Sequence, residues 1–291
     1  MKVLVLGGTR FFGKHLVDSL ISKGHEVTIA TRGKAKDNFG DKVDRIIIER
    51  TNSDSLKETI GKHYYDVVCD NIAYCSNDVK ALLDSLKCGR YVMTSSASVY
   101  ENQHLLTSEN EFEPLSHDLK WCSREDYRYA EVKRQAESAL FQEYPKLQAV
   151  AVRLPYVIGE DDYTNRLYFY VEQIINGNPM NLDNINEQIG FINSAEAGEF
   201  LAWVAEQKFV GPINGNNIGT ISLKEIIDYV EHKTKIKAIY SSEGLEGSYN
   251  GQESFSLDID RASNLGYCFT ELNTWIYELL DKYINRANSA L

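Results

Sequence analysis

A tyrosine and a lysine stand four residues apart in a stretch with helical character. Tyr129 and Lys133 form a Tyr-x-x-x-Lys pattern, and this spacing places both side chains on one face of a helix. A lysine ammonium beside a tyrosine hydroxyl stabilises the phenolate, so the tyrosine can exchange a proton closer to neutral pH. The pattern is common by itself and therefore needs supporting residues elsewhere in the chain.

A run of hydroxyl side chains supplies that support. The stretch 94–100, Thr-Ser-Ser-Ala-Ser-Val-Tyr, ends the predicted strand before the Tyr129 helix. In open parallel sheets, ligands bind at the carboxyl edge, where such strands end. A serine at this edge can hydrogen-bond a substrate oxygen while Tyr129 moves the proton.

The chain begins with a glycine-rich turn between a predicted strand and a predicted helix. The turn, Gly-Gly-Thr-Arg-Phe-Phe-Gly, runs from Gly7 to Gly13. Such a turn lets the backbone approach a dinucleotide pyrophosphate, and the helix amino terminus favours negative charge. Arg10 occupies the position of the middle glycine in a Gly-x-x-Gly-x-x-Gly pattern. Either its guanidinium binds a phosphate, or the side chain widens the loop and the loop binds no ligand. The alternative for the whole turn is a tight turn with a packing glycine.

The end of the second predicted strand bears on the choice of nicotinamide nucleotide. An acid at this place would hydrogen-bond the ribose 2′-hydroxyl of NAD. The segment 27–34 has no acid, and Arg32 and Lys34 stand there instead, with Arg10 as a possible neighbour. This favours the 2′-phosphate of NADP, and the alternative is an ordinary solvated basic loop.

Apolar runs and helical stretches alternate over the first 160 residues, which predicts an α/β fold with a parallel sheet covered on both faces. The predicted strands are Lys2–Leu6, Glu26–Ala30, Asp44–Ile48, Asp66–Asp70, Arg90–Thr94 and Ala149–Leu154. The predicted helices are Phe12–Lys23, Ser53–Ile60, Asn77–Leu86 and Tyr127–Glu143, followed after Gly159 by Leu167–Ile175, Ser194–Ala205, Leu223–Glu231 and Asn273–Ile284.

Charge and composition exclude several classes of protein. Thirty-one Lys and Arg against 42 Asp and Glu give a net charge of −11. The overall electrostatic field is therefore unfavourable for binding nucleic acid or an anionic membrane. No apolar run reaches the ~18 residues of a membrane span, and the first residues lack the pattern of a signal peptide. Five cysteines without a CxxC pair and six scattered histidines predict reduced thiols, a cytoplasmic protein and no metal site.

Four motifs in a fixed order together resemble the extended short-chain dehydrogenase/reductase family of the NAD-dependent epimerase/dehydratase type. They are the glycine turn, the serine-rich strand end, the Tyr-x-x-x-Lys pair and the later segment Arg153–Gly159. The segment 257–267 is similar to the carboxyl-terminal part of that family, so the resemblance covers nearly the whole chain.

The resemblance implies a Rossmann-like, doubly wound parallel sheet with a smaller carboxyl-terminal substrate lobe. We expect an NAD(P)-binding domain over residues 1–160 and a mainly substrate-binding lobe over 161–291, with segments that return to the first domain. The implied activity is that of an NAD(P)-dependent oxidoreductase or an epimerase/dehydratase-like enzyme on a small-molecule hydroxyl or ketone substrate.

The resemblance also implies site residues. Ser96 would polarise the substrate oxygen, Tyr129 would be the acid or base, and Lys133 would lower the tyrosine pKa and hold the nicotinamide ribose. Ser98 would contact the substrate. The expected cofactor contacts are Gly7, Thr9, Arg10, Phe11, Phe12, Gly13, Arg32, Lys34, Glu49, Arg50, Ile72, Ala73, Pro155 and Val157.

Two departures from the family pattern matter. Ile189 stands where sugar-nucleotide epimerases have a phosphate-clamping arginine, and Gly190 where they have an acid; losing a charge-assisted anchor costs up to ~3 kcal/mol. Arg166 is a candidate substitute, unless it is a solvated arginine. The arginine in the glycine turn resembles an atypical branch that includes the chloroplast stem-loop-binding proteins, so the alternative is a non-catalytic nucleotide-sensing or RNA-associated protein.

Two further expectations concern packing. Tyr163, Tyr168, Phe169 and Tyr170 either wall a substrate pocket or form a core stripe of the second lobe. The resemblance also implies a homodimer that pairs through the Tyr-x-x-x-Lys helix, where Ala136, Ala139 and Leu140 are available for packing.

Overall fold

The structure is a computed structural model that describes residues 1–289. The strands are β1 (Lys2–Leu6), β2 (Glu26–Thr31), β3 (Asp44–Ile47), β4 (Tyr64–Asp70), β5 (Lys87–Ser96), β6 (Gln148–Leu154), β7 (Tyr156–Ile158), β8 (Pro179–Asn181), β9 (Gln188–Ile189), β10 (Phe191–Asn193), β11 (Gly211–Asn214), β12 (Ile221–Ser222), β13 (Ile239–Tyr240) and β14 (Leu245–Glu246). The α-helices are α1 (Phe12–Ser22), α2 (Ser53–Thr59), α3 (Ser76–Leu83), α4 (Tyr129–Glu143), α5 (Arg166–Asn176), α6 (Ser194–Glu206), α7 (Leu223–Thr234), α8 (Asp260–Asn264) and α9 (Ile276–Asn288).

A seven-stranded parallel sheet with the order β11-β6-β5-β4-β1-β2-β3 forms the centre of the molecule. Successive side chains of a strand point to opposite faces, and β1 is apolar on both. Val3 and Val5 pack into a core that contains α1 and α6. Leu4 and Leu6 pack into the opposite core, with α2, α3 and α4. The predicted Rossmann-like, doubly wound α/β fold is confirmed.

The six predicted strands are all present, and a seventh joins them from the second half of the chain. The sequence Gly211-Pro212 indicates a turn, yet Gly211 begins β11, which pairs with β6 alone. Proline is tolerated there because an edge strand leaves one row of backbone groups unpaired. Ile213, fully buried, attaches this edge to the core.

A third core lies in the second half of the chain. It is built mainly from α5, α7 and α9, and it decides between the two readings of the aromatic cluster. Tyr168 and Tyr170 are buried in this core, and Phe169 packs against it. Tyr163 is 64% exposed and lines a cleft instead. The core stripe is therefore the correct reading for three of the four residues.

The helix α4 is covered by its own chain. Ala136, Ala139 and Leu140 are fully buried among residues of the same chain, so these side chains are not available to a second copy. The segment 113–121 lies along the helix, where Gln142 donates hydrogen bonds to the carbonyl oxygens of Pro114 and His117. The expected pairing through these three residues is therefore wrong.

The described residues contain no helical membrane span, no metal-binding cluster and no disulfide. No described helix has the length and apolarity needed to cross a membrane. Within residues 1–289, no three His, Cys, Asp or Glu side chains are grouped so that they could hold a metal ion. All five cysteines are free thiols, and three of them are buried.

A buried ion pair joins the sheet to α4. Arg153 of β6 and Glu137 of α4 are both fully buried, and Arg153 Nη2 lies 2.6 Å from Glu137 Oε2. Ser95 Oγ donates to the other carboxylate oxygen at 2.5 Å. Arg153 also donates to the Tyr100 hydroxyl and to the Glu109 carbonyl oxygen. This pair therefore connects β5, β6 and α4 directly below the carboxyl edge of the sheet.

We expect Arg153→Met to lower the free energy of unfolding by ~3–5 kcal/mol, because it leaves the Glu137 carboxylate buried and unpaired. Urea unfolding followed by circular dichroism measures this. The exposed pair Lys224–Asp228 is the control, and Lys224→Ala should change stability by less than ~0.5 kcal/mol. Equal effects of the two substitutions would contradict the prediction.

Candidate active site

A cleft of about 460 Å³ opens at the carboxyl edge of the sheet. Its walls come from the ends of β5 and β6, the start of α4, the glycine turn and the start of α5. Nine of the predicted site residues line it: Phe11, Phe12, Ser96, Ser98, Tyr129, Lys133, Pro155, Val157 and Arg166.

The glycine turn is closely packed. Gly7 has φ +78°, and a Cβ built on Gly13 would lie 2.0 Å from the Gly7 carbonyl oxygen, so a larger residue at Gly13 would displace the turn. Phe11 has φ 52° and ψ −145°, a combination that is costly for any residue except glycine. Strain of this kind is concentrated at functional sites.

The turn fits the pyrophosphate of a dinucleotide. Phe11 precedes α1 and makes no side-chain cap hydrogen bond, so the first N–H groups of the helix remain available to an anion. Arg10 is exposed in the turn, and Arg32 and Lys34 are exposed just after β2. Within residues 1–289 none of these three cations has a carboxylate within 4 Å. They do not line the cleft itself, and Thr9 does not either.

The remaining expected cofactor contacts also lie outside the cleft lining. Ile72 and Ala73 follow β4, and a Cβ on Gly7 would come within 2.8 Å of Ile72 Cγ2, so this segment abuts the glycine turn. Glu49 is exposed. Arg50 is buried and makes a bidentate pair with Asp70 at 2.7 and 2.8 Å. The chain itself thus supplies the partners of the Arg50 guanidinium, while its contact with a cofactor stays a prediction.

Lys133 is 3% exposed and bonds the backbone just after β4 and near the end of β5. Its Nζ donates to the carbonyl oxygens of Ala73 at 2.7 Å and Thr94 at 2.9 Å. Burial lowers the pKa of Lys133 to about 8, against the opposing influence of Asp70 and Glu137. Nζ lies 6.0 Å from the centre of the Tyr129 ring. Its hydrogen bonds go to backbone carbonyls and not to the tyrosine hydroxyl.

Tyr129 differs from the expectation in the direction of its pKa. Tyr129 is 50% exposed as a residue, yet desolvation of its hydroxyl raises its pKa, while the nearby Ser96 hydroxyl and the charge of Arg166 oppose this rise. In the structure Tyr129 is therefore a protonated phenol at neutral pH, a state suited to donating a proton.

Two serines face the cleft beside Tyr129. Ser96 Oγ accepts a hydrogen bond from the Ser98 N–H at 3.2 Å. Ser98 Oγ is buried and has no hydrogen-bond partner within the described residues. A buried hydroxyl without a partner costs free energy, so a ligand that bonds Ser98 would relieve that cost.

Sequence reasoning missed several cleft residues. Asn71 follows β4, donates to the Gly7 carbonyl oxygen at 3.3 Å and accepts from Thr94 Oγ1 at 2.8 Å. Its position after a parallel strand was a usable signal. Tyr156 and Gln252 had none, because they are 96 residues apart and meet only in the fold, where the Tyr156 hydroxyl donates to Gln252 Oε1 at 3.0 Å.

The two departures from the family pattern have clear positions. Ile189 is fully buried in β9, and a Cβ on Gly190 would lie 2.7 Å from Asn216 Oδ1, so neither offers a charge to a ligand. Arg166 begins α5 and lines the cleft, with its guanidinium 5.2 Å from the centre of the Tyr156 ring.

Residues 3–82 match the family model described as NAD dependent epimerase/dehydratase family. The chloroplast stem-loop binding protein of 41 kDa b of Arabidopsis thaliana is 28% identical over 204 residues, which cover 65% of this chain and 50% of that protein. UDP-glucuronic acid decarboxylase 1 of the same plant is 27% identical over 256 residues, which cover 79% of this chain and 58% of that protein. The chain thus spans about half the length of the curated relatives it matches.

A solved structure of UDP-glucuronic acid 4-epimerase from Bacillus cereus, in complex with UDP-glucuronic acid and NAD, superposes with a TM-score of 0.74. It is 17% identical, and the match covers 100% of both chains. At this identity the likeness shows the fold. Together with the family match, it confirms the resemblance to the epimerase/dehydratase type.

We expect the low pKa of Lys133 to make stability depend on pH. Between about pH 8 and its usual pKa of 10.5, the unfolded chain binds a proton at Lys133 that the folded protein does not. The free energy of unfolding should therefore rise with pH in this window, by up to ~1.4 kcal/mol per pH unit. Urea unfolding of wild type and Lys133→Met from pH 7 to pH 10.5 measures the difference, and parallel curves would contradict it.

Proposed function

We propose that this chain, which has the fold and the amino-terminal motif of the NAD dependent epimerase/dehydratase family, is a nicotinamide-nucleotide-dependent enzyme. It acts on a hydroxyl or ketone through Ser96, Tyr129 and Lys133. The observation that carries the proposal is that these three side chains line the same cleft as Phe11 and Phe12 of the glycine turn.

The chain has the parts needed to hold the nucleotide. The close approach of Gly13 to Gly7 and the uncapped start of α1 suit a pyrophosphate. Pro155 and Val157 add apolar surface to the lining of the cleft. A nicotinamide nucleotide bound there supplies or accepts a hydride.

The proton chemistry belongs to Tyr129. As a protonated phenol it donates a proton to the substrate oxygen when a ketone is reduced, and as the phenolate it accepts one in the reverse direction. Ser96, which lines the same cleft, hydrogen-bonds that oxygen and orients it. Lys133 holds the backbone of Ala73 and Thr94 in place and contributes positive charge below about pH 8.

NADP is the preferred nucleotide in this proposal. Arg10, Arg32 and Lys34 are exposed cations without a carboxylate partner among residues 1–289, and a 2′-phosphate would supply an anion for charge-assisted hydrogen bonds. We further infer a cytoplasmic protein, since five free cysteines suit a reducing compartment. A homodimer would have to use a surface other than the buried face of α4.

A second function has one specific observation in its favour. The 28% identity to a chloroplast stem-loop binding protein suits a non-catalytic, nucleotide-sensing or RNA-associated protein. The net charge of −11 opposes it. Binding of neither nicotinamide nucleotide, together with an RNA gel shift that persists at ~200 mM salt, would favour this function.

We expect Tyr129→Phe to lower turnover at least ~100-fold, because the proton donor is lost, while affinity for the nicotinamide nucleotide stays nearly unchanged. The measurement is NADPH oxidation with a carbonyl substrate obtained from a screen, beside a fluorescence titration of the nucleotide. Tyr127→Phe, a change at an exposed tyrosine two residues away, is the matched control. Undiminished turnover in Tyr129→Phe would refute the proposed role.

We expect NADPH to bind at least tenfold more tightly than NADH, about 1.4 kcal/mol, when nicotinamide fluorescence is followed. The double variant Arg32→Ala/Lys34→Ala should lose this preference. Lys62→Ala is the control, because Lys62 precedes β4 and so lies towards the amino edge of the sheet. A preference for NADH would overturn the NADP assignment and leave the enzyme assignment intact.

A further inference from the structure

Arg166 is a cleft cation without a carboxylate partner. Its Nε donates to Thr164 Oγ1 at 3.1 Å, and Thr164 Oγ1 in turn donates to Asp162 Oδ1 at 2.6 Å. Within the described residues no carboxylate lies within 4 Å of its guanidinium, and Nη1 and Nη2 have no hydrogen-bond partner. Thr164 thus aims the side chain while its two terminal nitrogens stay free.

The position of Arg166 is electrostatically unfavourable for the empty chain. It is the first residue of α5, a helix of 11 residues with no acid in its first turn and no side-chain cap from Asn165. The amino terminus of a helix carries a partial positive charge, and Arg166 adds a full positive charge to it. An anion at this point would be attracted by both.

The ring beneath Arg166 packs against a buried tyrosine. Tyr249 is 1% exposed, and its hydroxyl has no hydrogen-bond partner among residues 1–289. Its ring centre lies 4.8 Å from that of Tyr156, the ring beneath Arg166. Tyr249 does not line the cleft, so it supports the Tyr156 ring beneath Arg166 from behind.

The rest of this wall is polar and uncharged. The Tyr156 hydroxyl bonds Gln252 at 3.0 Å, and Gln252 Nε2 lies 3.3 Å from Gln103 Oε1. The cleft lining contains no carboxylate, and its cations are Lys133 and Arg166. Because Lys133 bonds two backbone carbonyls, Arg166 is the cation left for a ligand.

We propose that the substrate carries a single oxyanion, a carboxylate or a phosphate monoester, which pairs with the free terminal nitrogens of Arg166. Its hydroxyl or keto group then lies at Ser96 and Tyr129, and amides of the wall bond its neutral hydroxyls. This inference rests on the proposed function. A nucleoside diphosphate sugar fits less well, since one free cation faces it and Ile189 offers no charge.

The test uses calorimetry on the protein saturated with its nicotinamide nucleotide. The probes are glycerol 3-phosphate, D-glycerate, UDP-glucose and neutral glycerol, which separate a phosphate monoester, a carboxylate and a diphosphate. We expect one of the first two to bind more tightly than UDP-glucose and glycerol. Arg166→Gln should weaken that binding at least tenfold, with nucleotide affinity unchanged. Arg261→Gln, an arginine that bonds the Val210 carbonyl oxygen outside the cleft, is the matched control.

Three outcomes would overturn the inference. They are no binding of either single-oxyanion probe, binding that Arg166→Gln leaves unchanged, and tighter binding of UDP-glucose than of both. Failure of the proposed function is distinguished by a separate titration, since it would abolish binding of the nicotinamide nucleotide. Repeating the probe titration without the nucleotide tests the oxyanion site independently.

Discussion

The ion pair between Arg153 and Glu137 holds together the elements on which the cleft depends. Glu137 lies one turn beyond Lys133 and two turns beyond Tyr129 on α4, so fixing its carboxylate fixes the rotation of the helix about its axis. Arg153 is in β6, and Ser95, which bonds the same carboxylate, is the neighbour of Ser96 in β5. The relative positions of Ser96, Tyr129 and Lys133 thus follow from one buried contact and the hydrogen bonds around it.

The buried cations of this protein are compensated in two ways, by carboxylates or by backbone carbonyl groups. Arg50 and Arg153 are paired with carboxylates, as desolvated ions usually must be. Lys133 has only backbone carbonyls, and its pKa falls to about 8. Because Lys133 has no carboxylate counter-ion among the described residues, its positive charge is compensated only in part, by the carbonyl dipoles of Ala73 and Thr94.

Much of the fold could be predicted because short stretches of the sequence determine its strands, turns and helices. The apolar run of β1, the glycine turn and the Tyr129–Lys133 spacing each act over a few residues, and the structure has a strand, a turn and a helix there. The strand β11 was not predicted, because Gly211 and Pro212 are typical turn residues and an edge strand tolerates them.

The site was less accessible to sequence reasoning for a physical reason. The partners of Lys133 are carbonyl oxygens, which every residue possesses, so no side-chain type indicates them. Tyr156 and Gln252 meet across the cleft from distant parts of the chain. The covering of α4 depends on Gln135 and Gln142 meeting the backbone of 114–118, and glutamines on a helix ordinarily indicate only a solvated face.

The covering of α4 also bears on how the protein responds to dilution. A helix completed by a second copy loses its packing when the concentration falls below the dissociation constant, and its stability then depends on concentration. Here the covering segment belongs to the same chain, so its local concentration is set by the connecting residues and not by the amount of protein in solution. The helix that carries Tyr129 and Lys133 keeps its cover at any concentration.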